Sequence, residues 1–523
     1  MTKYLLKRLL HGVISIIFVV AIVMLLIYSF MDRNLIFGSD SAYSHQKNNQ
    51  KTSYVYQKWE DFGYLDYVPY SDYLKSLVSS GDMDEETYTA AVKLGQTAEK
   101  DSDATKEYVA QFTEYYESKG YTIERVDAVM QRRKVADGGA SLLFAYKNIP
   151  VTTRLVKYFA GLISFDSVNA IEDIEGERGL TWTWYDPVYG GDKFSPALIG
   201  NGTKHKYLIY VDSRFPFIHQ NMISINLGES YTVNQGIEIT TTMTQPQGNT
   251  KKSLITYETG LEEMSADNLH SATYSATSYQ DDPIAVARYT DNYTSVLLNR
   301  SGKSKLGYSF IIGIIDVVLA YLLGLPLGVL MARKKDKLID KIGTVYIMFI
   351  IAIPSLAYIF LFKAIGGTVF HLPTQFDTAA EKWTMYILPI ISLCLPAIAG
   401  LMKWMRRFMI DQMSADYVKF ARSGGLSEKE IFSKHIMKNA AVPMCHDIPA
   451  SVLGALTGAI ITERVYSVPG VGNVLTQAIS KYDNGVIVGI TMFYAVLSVL
   501  ALILGDVLMS IVDPRISFSS KDR

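Results

Sequence analysis

The sequence predicts an α-helical polytopic membrane protein with six transmembrane helices. A large α+β extracytoplasmic domain is inserted between the first helix and the second. Three observations predict this. Hydrophobic residues make up 49% of the 523, but they are bunched at the start and over roughly the last two hundred positions. A polar, tyrosine-rich stretch separates the two apolar regions, where an even spread would indicate a single globule. Positive residues cluster on one side of every apolar turn, which makes the parity of six crossings self-consistent. The division that follows is 1–30 for a cytosolic N-terminus and first helix, 31–305 for the outer domain, 306–516 for a membrane core and 517–523 for a cytosolic tail.

Composition excludes several function classes. The net charge is −1, so bulk electrostatics point to no acidic partner such as a nucleic acid. The two cysteines, Cys394 and Cys445, lie outside the polar domain, which must therefore hold together without disulfides. No Cys/His spacing suggests a metal site, and no nucleophile–base pair or paired carboxylate sits in a catalytic setting. Gly302-Lys303-Ser304 resembles the end of a nucleotide-binding P-loop, but Leu297 stands where the motif needs its first glycine. The chain is thus expected to be neither an enzyme nor a nucleotide binder. Any coupling to ATP uses another chain.

Lys3, Lys7 and Arg8 precede an apolar run from Leu9 to Phe30. It exceeds a signal-peptide core and reaches the roughly 20 residues that a crossing needs, with its basic flank in the cytoplasm. In the outer domain, Asp82 is expected to open a helix with Glu85 at the capping-box position. Asp103 is expected to cap a second helix, which runs to Lys119 and is ended by Gly120. The latter aligns Tyr108, Phe112, Tyr115 and Tyr116 on one face, which reads as core packing before a ligand box. Strands are expected over Leu180–Tyr185, Lys206–Val211, Ile223–Leu227 and Ile237–Met243. Asn201-Gly202-Thr203 and Asn292-Tyr293-Thr294 fit the glycosylation pattern but read as ordinary loop residues.

Five further spans follow: Tyr308–Met331, Val345–Ala364, Tyr386–Met402, Ile448–Thr462 and Val486–Val512. Arg333 to Lys337, and Lys403 with Arg406 and Arg407, mark cytosolic ends. Asp316 sits about 12 Å below the outer end of its span, at 1.5 Å per residue. It either lines a pathway, where it meets an amino terminus, or bonds to a neighbouring helix. Asp506 reads as a packing or inter-subunit residue, Lys363 as a snorkelling one, and Glu463 as a partner of Arg464. Pro326, Pro354, Pro389 and Pro396 break backbone hydrogen bonds inside spans, as static kinks or as sites of bending.

Between two spans lies Asp416–Pro443, a polar and basic stretch. A helix running up to Arg422 is broken by Gly424-Gly425. Ser427, with Glu430 three residues on, starts the next helix as a capping box. Ile431, His435, Ile436 and Asn439 then make a mixed face suited to a partner's groove.

This stretch resembles the cytoplasmic signature loop of binding-protein-dependent ABC importer permeases, in the form found in peptide transporters. That form reads D-Y-V-R-T-A-R-A-K-G-L-S-E, then R-H-x-x-R-N-A-x-x-P. The matching residues are Asp416, Tyr417, Val418, Lys419, Ala421, Arg422, Gly425, Leu426, Ser427, Glu428, Lys434, His435, Lys438, Asn439, Ala440 and Pro443. Phe420 and Gly424 depart from it, standing where Thr and Lys are usual. Ile353-Pro354-Ser355 resembles the family's I-P-S, Tyr466 to Gly472 its F-S-x-P-G-L-G turn, and Asp513 to Ile516 its L-D-P-R-I tail. An acidic residue of the family also falls at Glu463 and at Asp506. Val151–Asp166 and Asn226 to Ser230 resemble the family's short outer segment, so the rest of the outer domain reads as an insertion.

The resemblance implies the type I ABC importer permease fold, an oligopeptide cargo, and a multi-pass location in the plasma membrane with both termini cytoplasmic. It also implies partners: a second homologous permease, two cytosolic ATPases that bind the ATP and Mg, and a lipid-anchored peptide-binding protein outside. Two rivals use the same residues. One is a related permease for nickel chelates or small glycans. The other is a membrane sensor, which would normally carry a cytosolic output domain where this chain has only short loops.

Overall fold

The computed structural model describes residues 2–95, 103–126, 142–170, 176–186, 194–211, 218–244 and 303–512, with a few short strand pieces between them. Five helical stretches among these are long and apolar enough to cross a membrane, and a bent pair makes a sixth when counted as one crossing. α1 (Thr2–Phe30) buries Ile16, Val20, Met24 and Ile27, one stripe of its surface, against α17 (Asn484–Val512). α8 (Lys305–Arg333) packs along α11 (Ile387–Met413). The close approach has a cause in sequence. A Cβ on Gly324 would lie 2.9 Å from Leu401 Cβ, and one on Gly328 would lie 2.8 Å from Met405 Cβ. Small residues four apart let two backbones meet, the usual device where no water drives helices together.

Two of the expected spans are broken. Val345–Ala364 is not a straight helix but α9 (Leu338–Ala352) and α10 (Ser355–Thr368), bent by 105°. Pro354 lacks the N–H that would continue the ladder, so the second helix begins after it. Ile448–Thr462 divides into α14 (Ile448–Thr457) and α15 (Ile460–Tyr466). Gly458 stands between them with φ +74°, a left-handed conformation that a side chain resists. α16 (Val471–Ser480) then lies between this break and α17.

The polar segment holds a three-stranded antiparallel sheet of β1 (Leu65–Pro69), β2 (Thr122–Val126) and β3 (Leu142–Asn148), with β3 in the centre. Leu143, Phe144 and Ala145 are all buried because both faces of β3 are covered. α2 (Asn48–Asp61) supplies Trp59 to the core on Phe144. α3 (Tyr70–Ser80), α4 (Glu85–Gly95) and α5 (Asp103–Ser118) build the core that holds Leu143 and Ala145. The tyrosine stripe of α5 is core packing at Phe112, which is fully buried, while Tyr115 faces outward. The cap of α4 is Asp84, not Asp82: its Oδ1 accepts from Thr87 N at 2.7 Å, and Asp82 instead accepts from Ser80 Oγ.

α6 (Val151–Gly161) is the amphipathic segment. A second sheet orders β5 (Gly179–Thr183), β6 (Ala197–Asn201), β7 (Tyr207–Val211) and β8 (Ile218–Gln220) in sequence, and β4 (Ile163–Phe165) pairs with β9 (Ile223–Ile225). The strand expected at Ile237–Met243 is instead a helix, α7 (Ile239–Thr244). Ile239, Thr242 and Met243, spaced i, i+3, i+4, are buried there, and the two apolar ones join the α1–α17 core. Burial of that face overrides the β preference of a Thr-rich run.

The inserted segment is fastened to the helices away from its chain ends. Arg154 of α6 lies over the rings of Tyr28 at 3.6 Å and Tyr64 at 3.9 Å. Asp483, fully buried before α17, accepts from Ser230 Oγ at 2.6 Å, Tyr231 N at 2.8 Å, and Thr232 N and Val233 N at 2.9 Å each. Asn484 Nδ2 donates to Tyr64 Oη at 2.9 Å.

Candidate functional site

Two places collect the residues singled out in the sequence. The first is the bend at 416–446. α12 (Asp416–Ser423) ends where Leu426 N donates to Ala421 O at 3.2 Å and Gly425 takes φ +82°. That pair of features is a left-handed helix stop, and glycine suits it because it has no Cβ. A Cβ at Gly425 would meet nothing within 4 Å, so the bend faces open space. Ser427 and Glu430 form the reciprocal capping box. Arg422 reaches across the bend to Glu428 with a two-point contact, Nε to Oε1 at 2.5 Å and the second nitrogen to Oε2 at 3.1 Å. Lys419 pairs with Asp416 at 2.9 Å, and Tyr417 donates to Gln412.

α13 starts as Glu428–Glu430, passes through a π-helical stretch Ile431–Ile436 and runs on as Met437–His446, with Pro443 inside it. The π stretch has no signal in the sequence. The mixed face expected here is corrected. Ile431 and Ile436 point inward, into a core with Met405, Met409, Val418 and Met444, while Ala421 packs beside it. His435 and Asn439 are half-buried beside them. The apolar groups that face outward include Phe420, at 75% exposure, Leu426 and Met437. The two inward isoleucines seat the bend on α11, and Phe420 and Leu426 are left for whatever covers it.

The second place is a cavity of 360 Å³ between α8, α11 and α14. Ser309, Asp316, Tyr321 and Ser451 supply its polar lining, and Gly400, Gly454 and Ala397 much of its wall. Asp316 Oδ1 is buried and has no hydrogen-bond partner, so the expected alternative of a bond to a neighbouring helix is not realised at that atom. Tyr321 Oη and Ser451 Oγ are 3.5 Å apart.

The remaining acids are structural. Glu463 is buried, and Arg464 is not its partner. Its carboxylate accepts from Ser309 Oγ at 2.7 Å, Asn473 N at 3.0 Å and Ala459 N at 3.2 Å. It thereby fixes the turn between α15 and α16. Gly458 and Gly470 are bare because a Cβ on either would come within 2.3 Å of this carboxylate. Asp506 binds Arg8 Nε at 2.7 Å and Tyr4 Oη at 3.0 Å, tying α1 to α17 within one chain. Lys363 does not snorkel but donates to Val465 O at 2.6 Å. Pro354 and Ser355 lie exposed at the α9–α10 bend and belong to neither site. Asp513 to Ile516 and Asn292 lie outside the described residues.

Sequence reasoning missed three polar anchors: Asp340, Glu381 and Asp483. Asp340 is buried and takes a two-point contact from Arg406, at 2.5 and 2.8 Å. Glu381 accepts from Lys303 at 2.5 Å, Tyr386 at 2.7 Å and Tyr308 at 2.9 Å. Burial raises the Glu381 carboxyl, but donation from Lys303, Tyr386 and Tyr308 outweighs it and holds the group below the usual range. No group of three or more His, Cys, Asp or Glu able to hold a metal occurs among the described residues.

Comparison with known proteins bears on both places. Residues 324–518 match the family model described as "Binding-protein-dependent transport system inner membrane component". The chain is 35% identical over 528 residues to the oligopeptide transport system permease protein AmiC of Streptococcus pneumoniae, covering 100% of this chain and 99% of that one. It is 32% identical over 215 residues to the dipeptide transport system permease protein DppB of Lactococcus lactis, covering 40% of this chain and 69% of that one. DppB of Bacillus subtilis is 30% identical over 216 residues, covering 41% of this chain and 68% of that one. The likeness to AmiC therefore takes in the inserted segment, whereas the likenesses to the two dipeptide permeases cover only about two fifths of the chain.

Proposed function

The chain belongs to the family of oligopeptide and dipeptide permeases of ABC transporters, and from that premise we propose that it forms half of a peptide translocation pathway in the plasma membrane. A second, homologous permease supplies the other half. Two cytosolic ATPases hold ATP and Mg beneath, and a lipid-anchored binding protein delivers peptide from outside. Both termini and the 416–443 loop lie on the cytosolic side, and the inserted segment lies outside.

The observation that carries the reading is the braced bend at Gly425. Arg422 and Glu428 clamp it, Ile431 and Ile436 root it in the helical core, and Phe420 and Leu426 face outward. A knob that is stiff and rooted passes a push to the helices it stands on. ATP-driven closure of the ATPases would move the loop, and the loop would move α11 and α13. For this to do work, peptide must bind the two states of the pathway differently.

Gly425→Asp tests it. The added side chain meets open space, so the variant inserts at the cost of positive-φ strain, about 1 kcal/mol. Reconstituted with its partners, it is expected to lose peptide uptake and peptide-stimulated ATP hydrolysis, while Gly424→Ala keeps both. Wild-type uptake and hydrolysis in Gly425→Asp would show that the bend does not couple.

A further inference from the structure

The 360 Å³ cavity holds a feature that the coupling loop does not explain. Asp316 brings a carboxylate into it with Oδ1 buried and unpartnered. An acid inside a membrane bundle is costly and persists where something compensates it. Among the described residues nothing bonds that oxygen, which leaves it available to a partner from outside the chain. Resting on the peptide-permease reading above, we infer that this cavity is a peptide subsite in which Asp316 receives the cargo's primary ammonium group, the amino terminus.

The walls narrow the choice of cation. A bare metal ion needs several convergent oxygen ligands, and here one carboxylate is accompanied by the Tyr321, Ser451 and Ser309 hydroxyls, the last already engaged with Glu463 and Val471 N. The volume is also far larger than one ion requires and is of the order of a short peptide segment. The rest of the wall is featureless. Gly400 and Gly454 line it, and a Cβ on either would meet nothing within 4 Å. Packing does not demand glycine at these positions, in contrast to Gly313, whose Cβ would lie 2.7 Å from Ala455. Glycine also weakens a helix interior relative to alanine, by about 1 kcal/mol. Bare positions that packing does not require leave room. One fixed charge on a smooth wall suits cargo that differs in side chains and shares an amino terminus. Specificity by a shared group, with tolerance elsewhere, is what a carrier of mixed peptides needs.

The test uses the whole transporter, reconstituted with its binding protein, second permease and ATPases, with the binding protein saturated with peptide. Uptake of an alanine-rich tetrapeptide is compared with that of its N-acetylated form, each as variant over wild type, so that the binding protein's own preference cancels. Asp316→Asn is expected to slow the free-amine peptide about tenfold or more, the scale of one hydrogen bond to a charged group, and the acetylated peptide less than about twofold. Asp316→Glu is expected to restore most of the rate. Gly454→Val and Gly400→Val add bulk to the wall at positions where a Cβ meets nothing within 4 Å. They are expected to slow tetrapeptides with large side chains more than the alanine-rich one. Equal loss on both peptides in Asp316→Asn, or no loss, overturns the inference, as does a Gly454→Val variant indifferent to cargo size. Wild-type complex that takes up neither peptide overturns the peptide reading itself.

Discussion

Asp483 shows how much one residue settles in this molecule. Three consecutive backbone N–H groups, Tyr231 to Val233, and the Ser230 hydroxyl converge on its carboxylate, with none of the group left to water. Asp483→Ala would strand these donors in a closed site. Each buried donor left unpaired costs about 1–3 kcal/mol, and partial relaxation will recover some of that. The expected loss is about 3 kcal/mol or more, read as a lower midpoint of thermal unfolding in detergent. A midpoint equal to wild type would mean that the clamp adds nothing. Glu381 makes a pH-dependent claim. Its folded carboxyl is held below the ordinary value, so its contribution is present above the unfolded pKa and is lost as pH falls through the folded one. The gap in stability between wild type and Glu381→Gln should therefore be full at pH 7, should begin to shrink below the ordinary glutamate value of about 4.3, and should close as pH falls through the lower folded value. A gap that instead widened on acidification would contradict the assigned direction.

At the scale of elements, the breaks carry more information than the helices. α8, α11 and α17 follow from apolar length alone, and the cap at Ser427 follows from four letters of sequence. The α9–α10 bend and the Gly458 break look like continuous spans in hydropathy, because a window of 20 residues does not register a single Pro or Gly. The two breaks differ in kind. Pro354 removes a donor, whereas Gly458 makes way for the Glu463 carboxylate. Glu463 itself was legible as an acid out of place, but its partners Ser309 and Asn473 lie on other elements and no local pattern points to them. The cavity was half legible: Asp316 stood out as a charge in an apolar run, but Gly400 and Gly454 became meaningful only once their surroundings were known. Topology can be checked on these elements. In a background without Cys394 and Cys445, a cysteine at exposed Ser44 should react with an impermeant maleimide on intact cells, and one at exposed Ser423 only after permeabilisation. Ser423 is the better probe beside the bend because Ser427 is engaged in the cap. Labelling of Ser423 on intact cells would reverse the proposed orientation.

For the molecule as a whole, the question is what the inserted segment does at the mouth of the helices. Arg154, Asp483 and Asn484 fasten it to the α1 and α17 side at points far from its chain ends, so it moves with those helices and cannot swing on linkers. A segment fixed in this way could be a spacer that lifts the mouth, or a collar on which a binding protein sits. The four-stranded sheet favours the collar. Trp182 and Trp184 follow one another at the pitch of a strand face with rings 5.2 Å apart, and Phe194 stacks on Trp184 at 6.2 Å. All three are about half exposed or more, at 46%, 56% and 67%. Rigid aromatic rings offered to solvent are what a protein interface uses as anchors, and such residues dominate binding when they are truncated. The proposal is that the binding protein docks over this cluster and that docking aligns its cleft with the pathway. Trp182→Ala with Trp184→Ala should therefore raise the binding-protein concentration for half-maximal uptake by about tenfold or more, the scale of one aromatic anchor. The maximal rate at saturating binding protein should stay near wild type, because the pathway and the Gly425 bend are untouched. An unchanged half-saturation point in a well-inserted double variant would leave the spacer as the better account of the insertion.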